Sequence, residues 1–306
     1  MWKRVLHIYN IAFDLYWLNM HLPFMGKHCI TLPSDRDLDG VLRHRQPYLS
    51  FTDEEEAMGK EAMRKMGIPD DAPFICFHNR DNTYLNTMYP KAEWRYHDYR
   101  DSDIHNYLPA MEEMTKRGYY ALRMGAVVKE KLITDNAQII DYATRFRTDF
   151  MDIYLSAKCR FFIASAVGIN AIPMIFRRPV LCVNYIPLEY LLSWKSNCIT
   201  IFKYLWMKNH NRFMTFREII ESGVGRILYT EDYEKKGLTP VENTPEEITF
   251  AVIEMDDMLN GNYQALEGDE ELQISFWSLF KESDLNHIFV SRIGAHYILQ
   301  NKGLLL

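Results

Sequence analysis

The chain has few cysteines for its length, five in 306 residues, and they form neither a CxxC nor a His/Cys cluster at metal-ligand spacing. A disulfide framework and a sequence-local zinc site are therefore unsupported, and an odd count without a framework fits a reducing compartment. Basic residues are also in deficit. Lys and Arg number 35 against 41 Asp and Glu, for a formal net charge of −6, so no general field collects nucleic-acid phosphates. No stretch is apolar for the roughly eighteen residues that a spanning helix needs. The segment from Val5 to Phe24 is broken by His7, Asn10, Asp14, Asn19 and His21, which also makes it too polar for a signal core. The cytoplasm is the expected location, with peripheral contact at a membrane surface left open. Internal repeats, low-complexity linkers, a Walker loop, a GxGxxG fingerprint and a Gly-x-Ser-x-Gly elbow are all missing.

What is present is a globular composition, 48% hydrophobic and 25% charged, with 14% aromatic residues that suit either stacking surfaces or an aromatic-rich core. Helix starts are legible. Thr52 with Glu55, Thr215 with Glu218, and Thr244 with Glu247 each form a capping box, the last with Pro245 at the favoured first position. Gly67 and Gly223 mark two of the stops.

Between these lies an alternation. Residues 74–78 read as a buried strand. Ile104, Tyr107, Leu108, Met111 and Met114 follow at helical spacing, with a break expected at Pro109. Strands are predicted over 119–124, 138–140, 160–164 and 179–184, with a helix over 149–158. Alternating strands and helices predict a Rossmann-like parallel sheet. Ligands bind at the carboxyl ends of such strands, which directs attention to loops 78–84, 123–127 and 165–170. Three regions are expected: a reduced or truncated acceptor-side part over 1–72, a nucleotide-binding Rossmann-like domain over 73–225, and a helical segment over 226–306 packing back on the core.

Arg80, in the loop His78-Asn79-Arg80-Asp81, can grip a diphosphate with two parallel bonds, or can simply pair with Asp81 on the surface. His78 closes an apolar strand and reads equally as a satisfied core histidine. Arg123 and Gly125 occupy a second strand end, where glycine permits close backbone approach. Ser165, Gly168 and Asn170 lie in a strand-to-helix turn of the kind that favours anions. Before the helix that starts at Ile104 and stops at Gly118, Ser102 and Asp103 suit capping, leaving His97, Asp98 and Arg100 for chemistry. From Tyr190 to Arg212, aromatics interleave with Lys195, Lys203, Lys208 and Arg212, as an acceptor cleft, a membrane-facing patch, or core packing with solvated lysines.

These runs resemble a known family. Phe77 to Asp81, Tyr99 to Ile104, Tyr107 to Ala110, Arg123-Met124-Gly125, Asp141-Tyr142 and Asp152 to Leu155, in that order, are similar to a bacterial family of glycosyltransferases of surface-polysaccharide loci. More distantly, His78 and Arg80 resemble the first and third positions of the His-x-Arg-Arg-x-Asp motif of GT-B fucosyltransferases. Asp152 to Ala157 and Phe161 to Ser165 resemble two further elements of those enzymes. The resemblance implies that Arg80 holds the donor β-phosphate, that Asp152 orients that arginine or the sugar, and that the Ser165 turn covers the phosphates. Asp81 replaces the second arginine, Thr83 the final aspartate and Val167-Gly168 the Ser-Ser turn, which argues against GDP-fucose as donor.

The combined expectation is an α/β, GT-B-like, metal-independent transferase. It moves a sugar from a nucleotide-sugar co-substrate to a glycan or lipid-linked acceptor, with no other cofactor and no nucleic-acid partner. Arg80 and Arg123 are expected to stabilise the leaving diphosphate, with Arg100 also at the donor, and Asp81, Asp98 and Asp152 are the candidate general bases. The alternative is a non-catalytic nucleotide- or carbohydrate-binding module.

Overall fold

The computed structural model describes residues 8–23, 37, 40–283 and 285–305. It divides into two compact units, Met1–Arg36 and Asp37–Leu306. In the first, the described part is the helix Ile8–His21, which exposes Leu15, Tyr16, Trp17 and Leu18. Among the described residues no helix is long and apolar enough to cross a membrane.

The second unit carries ten strands among its described residues: β1 (Phe74–His78), β2 (Tyr120–Arg123), β3 (Ile139–Ile140), β4 (Phe162–Ala164), β5 (Val180–Tyr185), β6 (Cys198–Phe202), β7 (Tyr204–Met207), β8 (Arg212–Phe213), β9 (Leu238–Val241) and β10 (Arg292–Ile293). Seven of them form one sheet in the order β10-β6-β5-β4-β1-β2-β3. Every pairing in it is parallel, so the fold is α/β and Rossmann-like. The other three form a small antiparallel sheet, β8-β7-β9.

Period-two side-chain alternation splits the core between the two faces of the sheet. Ile75 and Phe77 of β1 join a cluster with Met111, Met114, Val252 and Met255. Phe74 and Cys76 join another with Met151, Tyr154 and Leu155. A side chain the size of Phe77, fully buried, contributes about 2–3 kcal/mol by removal of apolar surface from water.

The helix Leu108–Lys116 carries Pro109 in its first turn, where no N–H is needed, and the 3-10 turn Ile104–Tyr107 precedes it, as the break at Pro109 predicts. On the opposite face, the helix Asp53–Lys65 meets the helix Asp149–Lys158 at Gly59, where a Cβ would stand 2.2 Å from the Tyr154 ring.

One feature departs from the sequence reading, and a second adds strands to a segment read as helical. The 190–212 stretch contributes β6, all five of whose residues are buried, and Lys195 and Lys203 are buried with it rather than solvated. Residues 226–306 belong to the same compact unit as residues 73–225 and supply β10, an edge strand of the main sheet.

From β1 the chain steps outward to β2 and β3, then returns to the other side of β1 as β4. The topological switch point therefore lies between β1 and β4, and the loops leaving those strands diverge to open a crevice.

Candidate functional site

A cavity of about 470 Å³ occupies that crevice. Residues 78–81 line it from the end of β1, residues 125–128 from beyond β2, and residues 167–169 from beyond β4, with Tyr84, Leu85, Arg100, Arg147 and Asp152 completing the wall. The three loops expected from the sequence thus converge on one space.

Arg80 is only 6% exposed. Its Nη1 pairs with Asp101, while Nη2 has no partner among the described residues. The loop is held at both ends: Ser102 N donates to the Arg80 carbonyl at 3.0 Å, and Asn79 Nδ2 donates to the Ser102 carbonyl at 2.8 Å. Burial, reinforced by Arg100 nearby, pushes the Arg80 guanidinium down to about 10, which leaves it charged at neutral pH. Arg100 donates from Nη1 to the Ala166 carbonyl at 3.3 Å and keeps a buried Nε without an acceptor. Lys203 Nζ donates to the carbonyl of Asp101, and its burial pushes it down to about 8. Three cations thus gather around the segment 98–101.

His78 is neutral. Burial drives its pKa down to about 4 against the pull of Asp81, and its Nδ1 is buried without a partner. Gly125 has φ of +148°, and a Cβ there would meet Val128 Cγ1 at 2.6 Å. Close packing beside the imidazole therefore requires glycine at that position.

The expected carboxylates have different fates. Asp81 does not pair with Arg80. Its Oδ1 accepts from Thr83 N at 2.9 Å and its Oδ2 from Lys129 N at 3.1 Å, tying the β1 loop to the β2 loop. Asp152 lines the cavity but engages Arg147, at 2.8 and 3.0 Å, and the Tyr142 hydroxyl at 2.8 Å, instead of orienting Arg80. Burial raises its pKa, with the Tyr142 and Arg147 bonds opposing. Asp98 keeps a buried Oδ1 without a partner, in the electrostatic field of Arg80 but off the cavity wall.

Arg123 departs most from its expected role. It is fully buried and lines no part of the cavity. Its Nη1 donates to the Glu130 carbonyl at 2.7 Å and stands 3.4 Å from Asp141 Oδ1. Asp141 also accepts from Leu132 N and Thr144 Oγ1, so it acts as a hub for the loop after β2.

In the third loop, Ser165 is fully buried and its carbonyl accepts from Asn170 Nδ2 at 2.8 Å. Those two residues close the turn, and residues 167–169 between them line the cavity. Gly168 meets no atom within 4 Å of a Cβ position, so that turn is open toward the space.

Sequence reasoning missed Arg147 and Leu85, and it placed Tyr84, Asp101 and Lys203 in stretches of interest without a role at this site. Arg147 had a local signal, an arginine five residues before an expected functional aspartate. Asp101 and Lys203 meet across 102 positions, a distance no local pattern encodes. For metals, Asp103, His105 and Glu130 form the group with ligand-type spacing among the described residues. All three are exposed and they lie outside the cavity lining.

Buried polar atoms nearly always find partners in folded proteins. Among the described residues His78 Nδ1, Arg80 Nη2, Asp98 Oδ1 and Arg100 Nε have none, and all four lie at or beyond the carboxyl end of β1 and before β2. No family model, no curated protein and no solved structure matches the chain.

Proposed function

We propose that the chain is a glycosyltransferase of GT-B type that uses a nucleotide-sugar donor, with its diphosphate gripped at the β1/β4 switch point. The observation that carries this reading is Arg80 Nη2, a buried cationic donor without an acceptor on the wall of a cavity of about 470 Å³. A diphosphate offers such a group the acceptor it lacks, and in a largely desolvated site that bond strengthens as negative charge develops on the leaving group. Arg100 supplies the second cation in place of Arg123. This assignment gives the leaving-group charge to two guanidinium groups and not to a metal ion.

Tyr84, Leu85 and Ile169 offer apolar and aromatic surface to a base or a sugar ring. Of the three candidate general bases, Asp81 and Asp152 have both oxygens engaged, and Asp98 retains one that is uncommitted. The non-catalytic binding module is the second reading, and the engaged oxygens of Asp81 and Asp152 are what favour it.

A thermal-shift panel of UDP-, GDP-, CMP- and ADP-sugars should show stabilisation by one nucleotide class. The same donor should then be hydrolysed slowly in water or transferred to an acceptor. Arg80→Ala should lower that turnover by about 100-fold or more while its thermal midpoint stays within a few degrees. Turnover like that of the unsubstituted chain would remove Arg80 from the phosphate role. A shift without any turnover would support the binding module.

A further inference from the structure

At the other end of the sheet, a cavity of about 150 Å³ lies between the amino-terminal ends of β5 and β6 and the 42–46 segment. Lys195 and Trp194, which immediately precede β6, both line it. Lys195 is 8% exposed. Trp194 is 3% exposed and its indole N–H has no acceptor. Among the described residues, one buried donor of this cavity thus lacks an acceptor, and a lysine stands next to it in the chain.

The remaining wall is also basic. Arg43 and Arg45 border the space, and Arg177 Nε donates to the Arg45 carbonyl at 2.9 Å, which fixes that segment against the cavity. Among the described residues, Asp37 is the carboxylate beside Arg43, and it is already occupied by Leu42 N at 2.9 Å and Arg43 N at 3.0 Å, with Arg43 Nε 3.9 Å away. A buried indole N–H without an acceptor is costly, and an anion drawn in from solvent beside these cations is the simplest compensation. The space is about a third of the donor cavity's and sufficient for a tetrahedral oxyanion.

We propose that this cavity binds a free oxyanion of the phosphate class, held by Lys195 Nζ and the Trp194 indole N–H with Arg43 and Arg45 at its rim. The site is independent of the donor pocket, being built from the opposite strand ends.

Isothermal titration with inorganic phosphate, at an ionic strength held constant with chloride, tests this. It is done on the full chain carrying Arg80→Ala, so that phosphate entering the donor pocket is not counted. Saturable binding at one site is expected. Lys195→Met, which keeps the length of the stem, should weaken it by tenfold or more. Arg45→Gln, a change at an exposed position, should weaken it several-fold without affecting folding. Failure of phosphate to bind beyond chloride would overturn the proposal, and so would equal affinity in the parent and both variants.

Discussion

Two arginines stand at the carboxyl ends of neighbouring strands of one parallel sheet, three positions apart in height, and end in different situations. Arg123 closes β2 in register with Phe77, and its guanidinium faces Asp141 and the Glu130 carbonyl inside the protein. Arg80 lies three residues beyond Phe77, past the end of β1, and holds a buried Nη2 at the cavity wall without an acceptor. Residue type and strand-end position are shared. What differs is where the free nitrogen lies: Arg123 keeps a buried Nε without an acceptor on a residue away from the cavity lining, while Arg80, paired with Asp101 through Nη1, keeps its free Nη2 on a residue of the cavity wall. The first arginine organises a loop. The second is left with a bond to make.

Removing Arg123 should break this comparison most forcefully. Arg123→Ala leaves Asp141 buried without its cation, and breaking a pair of that kind costs about 3–5 kcal/mol. Chemical denaturation should show that loss. Donor affinity per folded molecule should fall far less than in Arg80→Ala, and a larger effect on binding than on stability would reverse the assignment of the two residues.

The pH dependence of stability probes the β1 side. The His78 pKa in the folded state is about 4, below its ordinary value of 6.5. The unfolded chain therefore binds the proton first as pH falls, and the stability due to the neutral imidazole is complete above pH 6.5 and lost progressively toward pH 4. By linkage the loss is on the order of 3 kcal/mol. His78→Asn should flatten the stability profile across that window in urea titrations, and an unchanged slope would place the titration elsewhere.

The smallest of these effects concerns the junction between the two loops. Gly125→Ala places a Cβ 2.6 Å from Val128 Cγ1 at φ of +148°. Destabilisation of about 1–3 kcal/mol is expected, together with weaker donor binding, because residues 125–128 form part of the cavity wall. A stability loss with unaltered binding would mean that this wall does not touch the donor.

Much of the fold was readable in local pattern. The capping boxes at Thr52, Thr215 and Thr244 all form, with each threonine side chain accepting from the N–H three residues on. The alternation of strands and helices led directly to the parallel sheet, and strand-end position singled out loops 78–84, 123–127 and 165–170, all of which border or support the cavity. β6 was hidden because Lys195 and Lys203 flank it and lysine reads as solvated, whereas here both are buried. β10 was hidden because a two-residue strand carries no periodic signal.

The sequence by itself determined what is settled within a turn or a strand: where helices begin, which residues alternate into a core, and which loops leave the sheet on one side. These features rest on neighbours a few positions apart, so the chain encodes them directly. Tertiary structure decided the order of the strands, the switch point between β1 and β4, and the fate of each charge. Arg123 is held by Asp141 from eighteen positions away, and Lys203 meets the Asp101 carbonyl across 102. An arginine becomes a structural tie or a candidate ligand hand according to the acceptors the fold brings to it, and those acceptors come from distant parts of the chain.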